Sequence, residues 1–546
     1  MSARTGGRIL VDNLVAQGCD RIFHVPGESF LAVLDALHDT PAIDLVTCRQ
    51  EGGVAFMACA DGAMTGRPGV AFVTRGPGAT NASIGVHVAM QDSVPMILFI
   101  GDIDRGTRDR EAFQEVDFVA MFTPLAKLAL RIDDASRIPE YLARAYATAL
   151  SGRPGPVVIA IPEDMLTDVV EAVDRPRVAI PIQATGGVDA VIATLASAKS
   201  PVAIVGGAGW DAATGAVFAR LAEAVQLPVA GAFRRQDAIP NSSPAWAGNL
   251  GYGPNPKLVA RIKAADVLLV VGARLGEATT DGYTLITPDH PGQTLIHVHP
   301  DPSELNRSYQ ADVAVCAGMT PFAEALAARV AELPQFDGAA AHAEYLAWST
   351  PAPRNGVTLD LGPCVAAMRE ALPANTIICN GAGNFSGWWH RYWRYGAKPT
   401  QLAPTAGAMG YGVPAAVAAA LRFPDRMAVA VAGDGDFLMN GQELATAVQH
   451  GADLLVIVVD NSGYGTIRMH QEREYPARLS GTTLANPDFA ALARAYGAWS
   501  ETVARTEDFA PTLTRALAER GVRLLHLKTD IEVITNGTTI SAIRNR

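Results

Sequence analysis

The sequence is poor in the features that mark secreted, nucleic-acid-binding or membrane proteins. Its 546 residues include only six cysteines, and no two of them form a Cys-x-x-Cys pair. Such scattered cysteines are typical of reduced thiols in a cytosolic protein and argue against a disulfide framework or a zinc site. Charged residues make up 18% of the chain, the net charge is -11, and no lysine- or arginine-rich tract occurs. The composition therefore argues against a nucleic-acid partner, because phosphate-backbone binding needs a cationic surface.

Long apolar runs and targeting signals are also missing. The longest apolar runs, such as LLVIVV at 454–459, are too short to cross a bilayer. The first residues lack the apolar core of a signal peptide. We therefore expect a soluble cytoplasmic protein. No repeat of solenoid period and no Walker-type lysine loop is visible, which argues against a solenoid and against ATP hydrolysis.

What the sequence does contain is a regular alternation of β-rich and Ala/Leu-rich segments. Hydrophobic residues make up 49% of the chain, and the alternation predicts α/β domains in which helices cover parallel sheets. Stretches rich in Pro, Gly and polar residues at 174–187 and 333–361 are predicted to be linkers. They leave three predicted domains, 1–173, 188–332 and 358–546. The predicted buried strands are 21–25, 43–48, 69–73, 96–100, 156–161, 202–205, 267–271, 294–298, 376–379, 427–431, 454–459 and 524–528.

The strongest local signal lies in the last predicted domain. The strand 427–431 leads into the motif GDGDF at 433–437, and the strand 454–459 is followed by DNSG at 460–463. Asp434 and Asn461 are 27 residues apart, which suits one strand–helix–strand crossover and places both at the carboxyl ends of parallel strands. A carboxylate, an amide oxygen and a backbone carbonyl suit octahedral Mg²⁺, and the glycines let backbone N–H groups approach a diphosphate. The alternative is a pair of tight turns in an ordinary doubly wound domain.

Glu51 is the candidate in the first domain. It follows the predicted strand 43–48 and opens a predicted helix over 53–64. Taken alone, a carboxylate in the first turn of a helix is a cap favoured by the helix dipole. The glycine-rich turn TRGPGATN at 74–81 is expected to lie beside Glu51 in a parallel sheet, which favours a functional role.

The chain resembles the thiamine-diphosphate (ThDP) enzymes of the acetolactate synthase group. The stretches that carry the resemblance are CRQEGGVAFMACADGAMTGRPGVAFVTRGPGATNASIG at 48–85, AFQEVD at 112–117, APTAGAMGYGVPAA at 403–416 and GDGDF…VVDNSGYG at 433–465. It covers essentially the whole chain in the same order. The resemblance implies three doubly wound parallel-sheet domains: an N-terminal pyrimidine-binding domain, a central Rossmann-like domain and a C-terminal diphosphate- and Mg²⁺-binding domain.

The resemblance also implies roles for individual residues. Glu51 would hydrogen-bond the pyrimidine ring and help to generate the ylid, as a buried carboxylate whose pKa is raised towards neutrality. Met409 would be the bulky residue beneath the cofactor, and Asp434, Asn461 and the carbonyl of Gly463 would bind Mg²⁺. The residues implied to bind the cofactor are Pro26, Gly27, Glu51, Gly383, Asn384, Phe385, Gly407, Met409, Gly433, Asp434, Gly435, Asp436, Asn461, Gly463 and Tyr464.

Substrate contacts are less sharply indicated. By resemblance, the regions of Glu28 and of Phe113 and Gln114 border the reaction centre, and Gln114 would hydrogen-bond a substrate carbonyl or carboxylate. The alternative for Gln114 is a solvated loop amide. His470 stands where biosynthetic acetolactate synthases carry a tryptophan, which weakens any prediction of isoleucine-pathway specificity. For His470, substrate contact and a surface or capping position stay open.

The resemblance implies that the active unit is a homodimer or homotetramer, with the pyrimidine half of one subunit facing the diphosphate half of another. In the central domain, glycines at 206–209 and 272–276 follow strands and leave room for a dinucleotide, FAD or ADP.

The implied activity is ThDP- and Mg²⁺-dependent decarboxylation of pyruvate and transfer of the hydroxyethyl unit to a second 2-oxo acid or aldehyde. The alternatives are a CoA-linked lyase or decarboxylase, of the oxalyl-CoA decarboxylase or 2-hydroxyacyl-CoA lyase type, or a benzoylformate-type decarboxylase. A non-catalytic or flavin-only relative is a further rival, against which intact Glu51, Asp434 and Asn461 argue.

Overall fold

The computed structural model describes residues 3–179, 186–289 and 291–545. The chain divides into two compact units. The first contains the N-terminal sheet and its helices together with Val413–Pro424 and Leu438–Ala452, and the second contains the central and C-terminal sheets. Across the described ranges, these three sheets have six strands each and are entirely parallel. The predicted α/β class with three doubly wound sheets is therefore confirmed.

The N-terminal sheet has the strand order β3-β2-β4-β5-β7-β6. Its strands are β2 (Arg21–His24), β3 (Asp44–Thr47), β4 (Gly69–Val73), β5 (Met96–Asp102), β6 (Leu128–Arg131) and β7 (Pro156–Pro162), while β1 (Arg4–Thr5) and β8 (Val169–Val170) form a separate antiparallel pair. Its helices are α1 (Gly6–Ala16), α2 (Leu31–His38), α3 (Glu51–Thr65), α4 (Gly76–Asp92), α5 (Phe118–Phe122) and α6 (Ile138–Leu150). Phe72 of β4 and Phe99 of β5 are paired across the strands and stack with ring centroids 4.5 Å apart in the core.

The central sheet has the order β11-β10-β9-β12-β13-β14. Its strands are β9 (Val202–Val205), β10 (Val229–Gly231), β11 (Trp246–Asn249), β12 (Val267–Val271), β13 (Thr294–His299) and β14 (Val313–Cys316). Its helices are α7 (Val188–Ala196), α8 (Ala212–Ala224), α9 (Pro256–Ala264), α10 (Met319–Ala327) and α11 (Ala339–Trp348). Continuous aliphatic strands such as β12 are buried on both faces, as expected for a parallel sheet between helix layers.

The C-terminal sheet has the order β16-β15-β17-β18-β20-β19. Its strands are β15 (Ile377–Asn380), β16 (Gln401–Leu402), β17 (Ala428–Gly433), β18 (Leu454–Asp460), β19 (Trp499–Val503) and β20 (Val522–Lys528). The helices in this stretch of the chain are α12 (Leu361–Ala371), α13 (Ser386–Tyr392), α14 (Gly412–Arg422), α15 (Asp434–Asn440), α16 (Leu444–Gln449), α17 (Gly465–Glu474), α18 (Phe489–Ala495), α19 (Thr506–Ala518) and α20 (Ile540–Arg544). Of these, α14 from Val413 onwards and α16 belong to the first compact unit. Strands β17 and β18 are neighbours, so their carboxyl ends lie side by side.

The predicted linkers fare differently. The first, 174–187, lies partly outside the described residues. The prediction of an irregular linker over 333–361 is wrong, because this segment contains helix α11. Its sequence, AAAHAEYLAW, buries Ala341 and Tyr345, and the ring of Tyr345 packs edge-on against Trp246 of β11. The flanking Pro and Gly residues obscured a helical period that tertiary packing stabilises. The domain boundaries 1–173, 188–332 and 358–546 remain a prediction.

Candidate active site

A cleft of about 240 Å³ opens in the C-terminal domain at the carboxyl ends of the strands. This is where open α/β sheets bind ligands. The cleft brings together all twelve residues of this domain that the sequence implicates in cofactor binding: Gly383, Asn384, Phe385, Gly407, Met409, Gly433, Asp434, Gly435, Asp436, Asn461, Gly463 and Tyr464. Segments far apart in sequence therefore converge on one concave surface.

Asp434 lies at the junction of β17 and α15 and is 3% exposed. One carboxylate oxygen, Oδ1, accepts a hydrogen bond from Gly435 N at 2.9 Å, and Oδ2 accepts one from Gly463 N at 3.1 Å. Burial raises the pKa of this carboxyl, because the charged form loses hydration. A cation beside Asp434 would favour the ionised form.

Asn461 follows β18 and directs its side-chain oxygen to the same peptide group. Its Oδ1 accepts from Gly463 N at 3.1 Å, so this one amide binds both Asp434 and Asn461. The described residues contain no cluster of three His, Cys, Asp or Glu side chains suited to a metal. One carboxylate with neutral amide and peptide oxygens is instead the hard donor set that Mg²⁺ uses when phosphate and water oxygens complete its shell. The residues present therefore fit a Mg–diphosphate group.

Asp434 is linked to Asp460 of the DNSG motif through Asn486, and Asp460 in turn contacts His526; the sequence reasoning missed Asn486 and His526. Asn486 Nδ2 donates to Asp434 Oδ2 at 2.7 Å and to Asp460 Oδ1 at 2.8 Å, and His526 Nε2 lies 2.9 Å from Asp460 Oδ2. Burial opposes the charge of Asp460, but the hydrogen bonds from His526 and Asn486 outweigh it and hold the pKa of this carboxyl below its usual range. The DNSG motif gave a hint through Asp460, whereas Asn486 and His526 had no local signal.

The glycines of the cleft allow close contacts that a Cβ would prevent. A Cβ on Gly435 would lie 2.6 Å from the ring of Tyr464, and one on Gly433 would lie 2.9 Å from the ring of Phe385. Both aromatic rings therefore pack directly on the motif at 433–437. The absence of a Cβ at Gly433 and Gly435 is what allows the two rings to approach the backbone this closely.

Asp436 is 2% exposed and connects two loops of the cleft. Its Oδ1 accepts from Gly410 N at 2.7 Å and from Ala382 N at 3.3 Å. Burial raises its pKa to about 7. Its carboxylate therefore supports the loop that carries Met409.

Asn384 is held by a residue that the motif search did not include. Thr466 Oγ1 accepts from Asn384 N at 3.0 Å and donates to Asn384 Oδ1 at 3.0 Å, while Asn384 Nδ2 donates to Ile534 O at 3.1 Å. These bonds fix the loop 383–385 against α17 and the C-terminal segment. Thr466 and Ile534 also line the cleft.

Glu51 belongs to the first compact unit and is the first residue of α3, two residues earlier than the predicted helix start. The cap of α3 is the side chain of Gln50, whose Oε1 accepts from Gly53 N at 3.1 Å. Glu51 is half-buried and its Oε2 accepts from Asn81 Nδ2 of α4 at 2.9 Å. The predicted proximity of Glu51 to the glycine-rich turn is therefore observed, and the capping task falls to Gln50 instead.

Pro26, Gly27 and Glu28 form the turn after β2, in the same unit as Glu51. A Cβ on Gly27 would lie 2.5 Å from Thr74 Cβ, and Ser29 Oγ lies 3.1 Å from Thr74 Oγ1. The turn after β2 therefore packs against the start of α4. Pro26 and Glu28 are exposed there.

The loop that carries Phe113 and Gln114 is attached to the start of α4. Gly76 N donates to Gln114 O at 3.2 Å, and the Arg75 guanidinium binds Phe113 O at 3.4 Å and Glu163 at 2.9 Å. Gln114 adopts a φ of 65, in the left-handed region that non-glycine residues rarely occupy. Phe113 is 74% exposed, and His470 is exposed on α17.

The central-domain glycines have a packing role of their own. A Cβ on Gly207 would lie 1.9 Å from Gly272 O, and one on Gly272 would lie 2.5 Å from Gly206 O. The two strand-end loops thus pack directly against each other, and Trp210 Nε1 donates to Gly206 O at 2.9 Å. Close loop contact therefore accounts for Gly207 and Gly272.

Comparison with known proteins agrees with this geometry. Residues 4–121 match the model for the N-terminal TPP binding domain of thiamine pyrophosphate enzymes, 188–326 match the central domain, and 381–527 match the C-terminal TPP binding domain. The chain belongs to the thiamine pyrophosphate enzyme family, as the sequence resemblance predicted.

Curated relatives narrow the comparison. The chain is 32% identical to the acetolactate synthase large subunit of Parasynechococcus marenigrum (strain WH8102), over 90% of this chain and 82% of the relative. It is 29% identical to the isozyme 2 large subunit of acetolactate synthase from Escherichia coli (strain K12), over 96% and 95%. It is 26% identical to the mitochondrial catalytic subunit from Saccharomyces cerevisiae (strain ATCC 204508 / S288c), over 97% and 81%.

Within the described ranges, no helix is long and apolar enough to span a membrane.

Proposed function

We propose that this protein is a ThDP- and Mg²⁺-dependent carboligase of the acetolactate synthase type, which decarboxylates pyruvate and joins the remaining two-carbon unit to a second 2-oxo acid or an aldehyde. The observation that carries the proposal is the convergence of twelve motif residues on one cleft around Asp434 and Asn461. The similarity to acetolactate synthase large subunits over nearly the whole chain supports the reaction type.

Different residues of the chain would bind the cofactor and activate it. Asp434, Asn461 and the carbonyl of Gly463 would hold Mg²⁺, and the backbone at 383–385 and 433–436 would hold the diphosphate. Glu51 would accept a hydrogen bond from, and share a proton with, a ring nitrogen of the pyrimidine. When bound, thiamine diphosphate supplies an electron sink for the carbon–carbon bond cleavage.

Gln114 is the proposed substrate-binding residue. Its backbone is anchored to Gly76, while the adjoining Phe113 side chain is mostly exposed and available to cover an apolar substrate group. An amide at this place can donate to a carboxylate or ketone oxygen of a 2-oxo acid.

A CoA-linked reaction is less well supported by the C-terminal segment. A CoA phosphate would need a free cation there, but Arg544 of α20, the one cationic side chain of 530–545 in the described part of the chain, forms a double hydrogen bond with the buried carboxylate of Glu472, at 2.6 and 2.7 Å. We therefore propose no CoA ester as substrate. We include no flavin in the proposal, because close loop contact accounts for Gly207 and Gly272; the visible absorption spectrum of the purified protein tests this.

The test is turnover of pyruvate by the purified protein with ThDP and Mg²⁺, following CO₂ and acetolactate together. The proposal predicts that both products form and that both need Mg²⁺. CO₂ without acetolactate would reduce the function to a decarboxylase. If neither product forms although ThDP binds, the pyruvate assignment falls, and CoA esters are the next substrates to try.

A further inference from the structure

One buried carboxylate has no part in the proposed chemistry. Glu443 ends the 3-10 turn Gly441–Glu443 just before α16, in the same compact unit as Glu51. It is 0% exposed. A charged or chargeable group is kept in such a place only where hydrogen bonds compensate for its lost hydration.

The hydrogen bonds of Glu443 lead to the loop that ends at Glu51. Oε1 accepts from Gln50 N at 3.0 Å, and the two oxygens accept from Arg49 N at 3.2 and 3.3 Å. Thr446 Oγ1 donates to Oε2 at 2.6 Å. The two backbone amides are those directly before Glu51, where a helix start leaves N–H groups without intrahelical partners.

The rest of the α16 segment binds the same loop. His450 Nε2 accepts from Thr47 N at 3.1 Å, and the guanidinium of Arg49 donates to Gln449 Oε1 at 2.6 Å. The amides of Thr47, Arg49 and Gln50 are thus all held by side chains about 400 positions further along the chain. The contact is close, because a Cβ on Gly53 would lie 2.6 Å from Glu443 Oε1.

We propose that Glu443 is a positioning residue for Glu51: it fixes the start of α3 so that the Glu51 carboxylate meets the cofactor in a productive place. This inference rests on the proposed function, which assigns cofactor activation to Glu51. A displacement of about 1 Å at a reacting group can lower a rate about 100-fold. Loss of the Glu443 carboxylate should therefore reduce turnover while leaving the cleft of the C-terminal domain intact.

The experiment compares Glu443→Gln with a matched control, Asp61→Asn. Asp61 is also a buried carboxylate and is paired with Arg422 at 2.7 and 2.9 Å. It lies on α3, the helix that Glu51 begins, but ten residues further along. Four quantities are measured on the full-length protein: amide hydrogen exchange of residues 47–56, ThDP affinity in the presence of Mg²⁺, the rate of deuterium exchange at C2 of bound ThDP, and kcat for pyruvate.

For Glu443→Gln we expect faster amide exchange in 47–56, nearly unchanged ThDP affinity, and C2 exchange and kcat lowered about 10- to 100-fold. Asp61→Asn should keep the wild-type C2 exchange rate even if its melting temperature falls as much as that of Glu443→Gln. Equal C2 exchange in Glu443→Gln and Asp61→Asn would overturn the proposal. If Glu443→Gln does not fold, Glu443→Asp, which keeps the charge but shortens the reach, replaces it in the same comparison. Wild-type protein that binds ThDP without accelerating C2 exchange would overturn the proposed function itself, and the role of Glu443 with it.

Discussion

The side-chain amide of Asn486 donates to Asp434 Oδ2 at 2.7 Å and to Asp460 Oδ1 at 2.8 Å. One nitrogen thereby bridges two carboxylates at the carboxyl ends of neighbouring strands and offsets the repulsion between them. Asn486 contributes no ligand of its own to the proposed Mg²⁺ site. It orients the residue that does.

Replacing Asn486 should therefore weaken metal binding. For Asn486→Ala we expect the affinity for Mn²⁺, used as a spectroscopic substitute for Mg²⁺ in the presence of ThDP, to fall about 10- to 100-fold, the usual effect of losing an outer hydrogen-bond partner. Electron paramagnetic resonance of free Mn²⁺ measures this. Ser462→Ala, which removes only a long 3.3 Å bond to Asp460 at an exposed residue, is the control and should bind Mn²⁺ like the wild type. Unchanged affinity in both variants would remove Asn486 from this role.

Glu51→Gln should separate cofactor binding from cofactor activation. The amide keeps the size of the side chain and an acceptor for Asn81, but it cannot share a proton with the pyrimidine. We expect ThDP affinity close to that of the wild type and kcat lower by about 10²- to 10⁴-fold, the range for loss of a general acid–base group. Titration calorimetry and steady-state kinetics measure the two quantities. Wild-type turnover by Glu51→Gln would show that Glu51 has no catalytic part.

Complementation between inactive variants should reveal whether active sites are shared between subunits. We expect Glu51→Gln and Asp434→Ala, each inactive alone, to regain activity when they are co-expressed with different tags. In a dimer whose sites combine Glu51 of one copy with Asp434 of the other, each mixed dimer has one intact site. Random mixing gives about a quarter of the wild-type activity. Activity that stays at background in the purified mixed dimer would mean that both residues act within one chain.

The stability of the protein should fall in mild acid because of buried histidines. Burial lowers the pKa of His299 to about 4, and its Nδ1 accepts from Asp301 N at 3.0 Å, which a protonated ring cannot do. In the unfolded chain this histidine binds a proton near pH 6.5. The stabilisation by neutral His299 is therefore complete above pH 6.5 and is lost as the pH falls towards 4. At pH 4.5 the loss from this one residue is about 2–3 kcal/mol.

Urea unfolding at pH 7.5, 5.5 and 4.5 tests this prediction. The free energy of unfolding of His299→Gln should depend less on pH than that of the wild type, so that the difference between the two proteins shrinks in acid. His38→Gln, at an exposed position on α2, should retain the wild-type pH dependence. If the free energy of unfolding of His299→Gln depends on pH as strongly as that of the wild type, His299 is not the cause of the loss of stability in acid.

The strands show which parts of the fold can be predicted from sequence. All twelve predicted strands occur, since strands in the middle of a parallel sheet are continuous apolar runs buried on both faces. In the three six-stranded sheets, the strands that sequence reasoning missed are β6, β10, β11, β14, β16 and β19. Five of them are edge strands. Edge strands such as β19, WSETV, mix polar and apolar residues because one side borders solvent, so they lack a clear pattern.

The sequence alone determined the α/β class, the family and the motif residues that meet in the cleft, because tight turns and hard oxygen ligands require particular residues at fixed spacing. It carried no sign that Asn486 and His526 reach the Asp434 site, that Asp436 holds the loop of Met409, or that Glu443 binds the loop before Glu51. Each of these contacts joins residues that are remote along the chain or separated by a loop. Only the order of the strands and the packing of the helices bring their side chains within hydrogen-bonding distance, and a local pattern does not encode that distance.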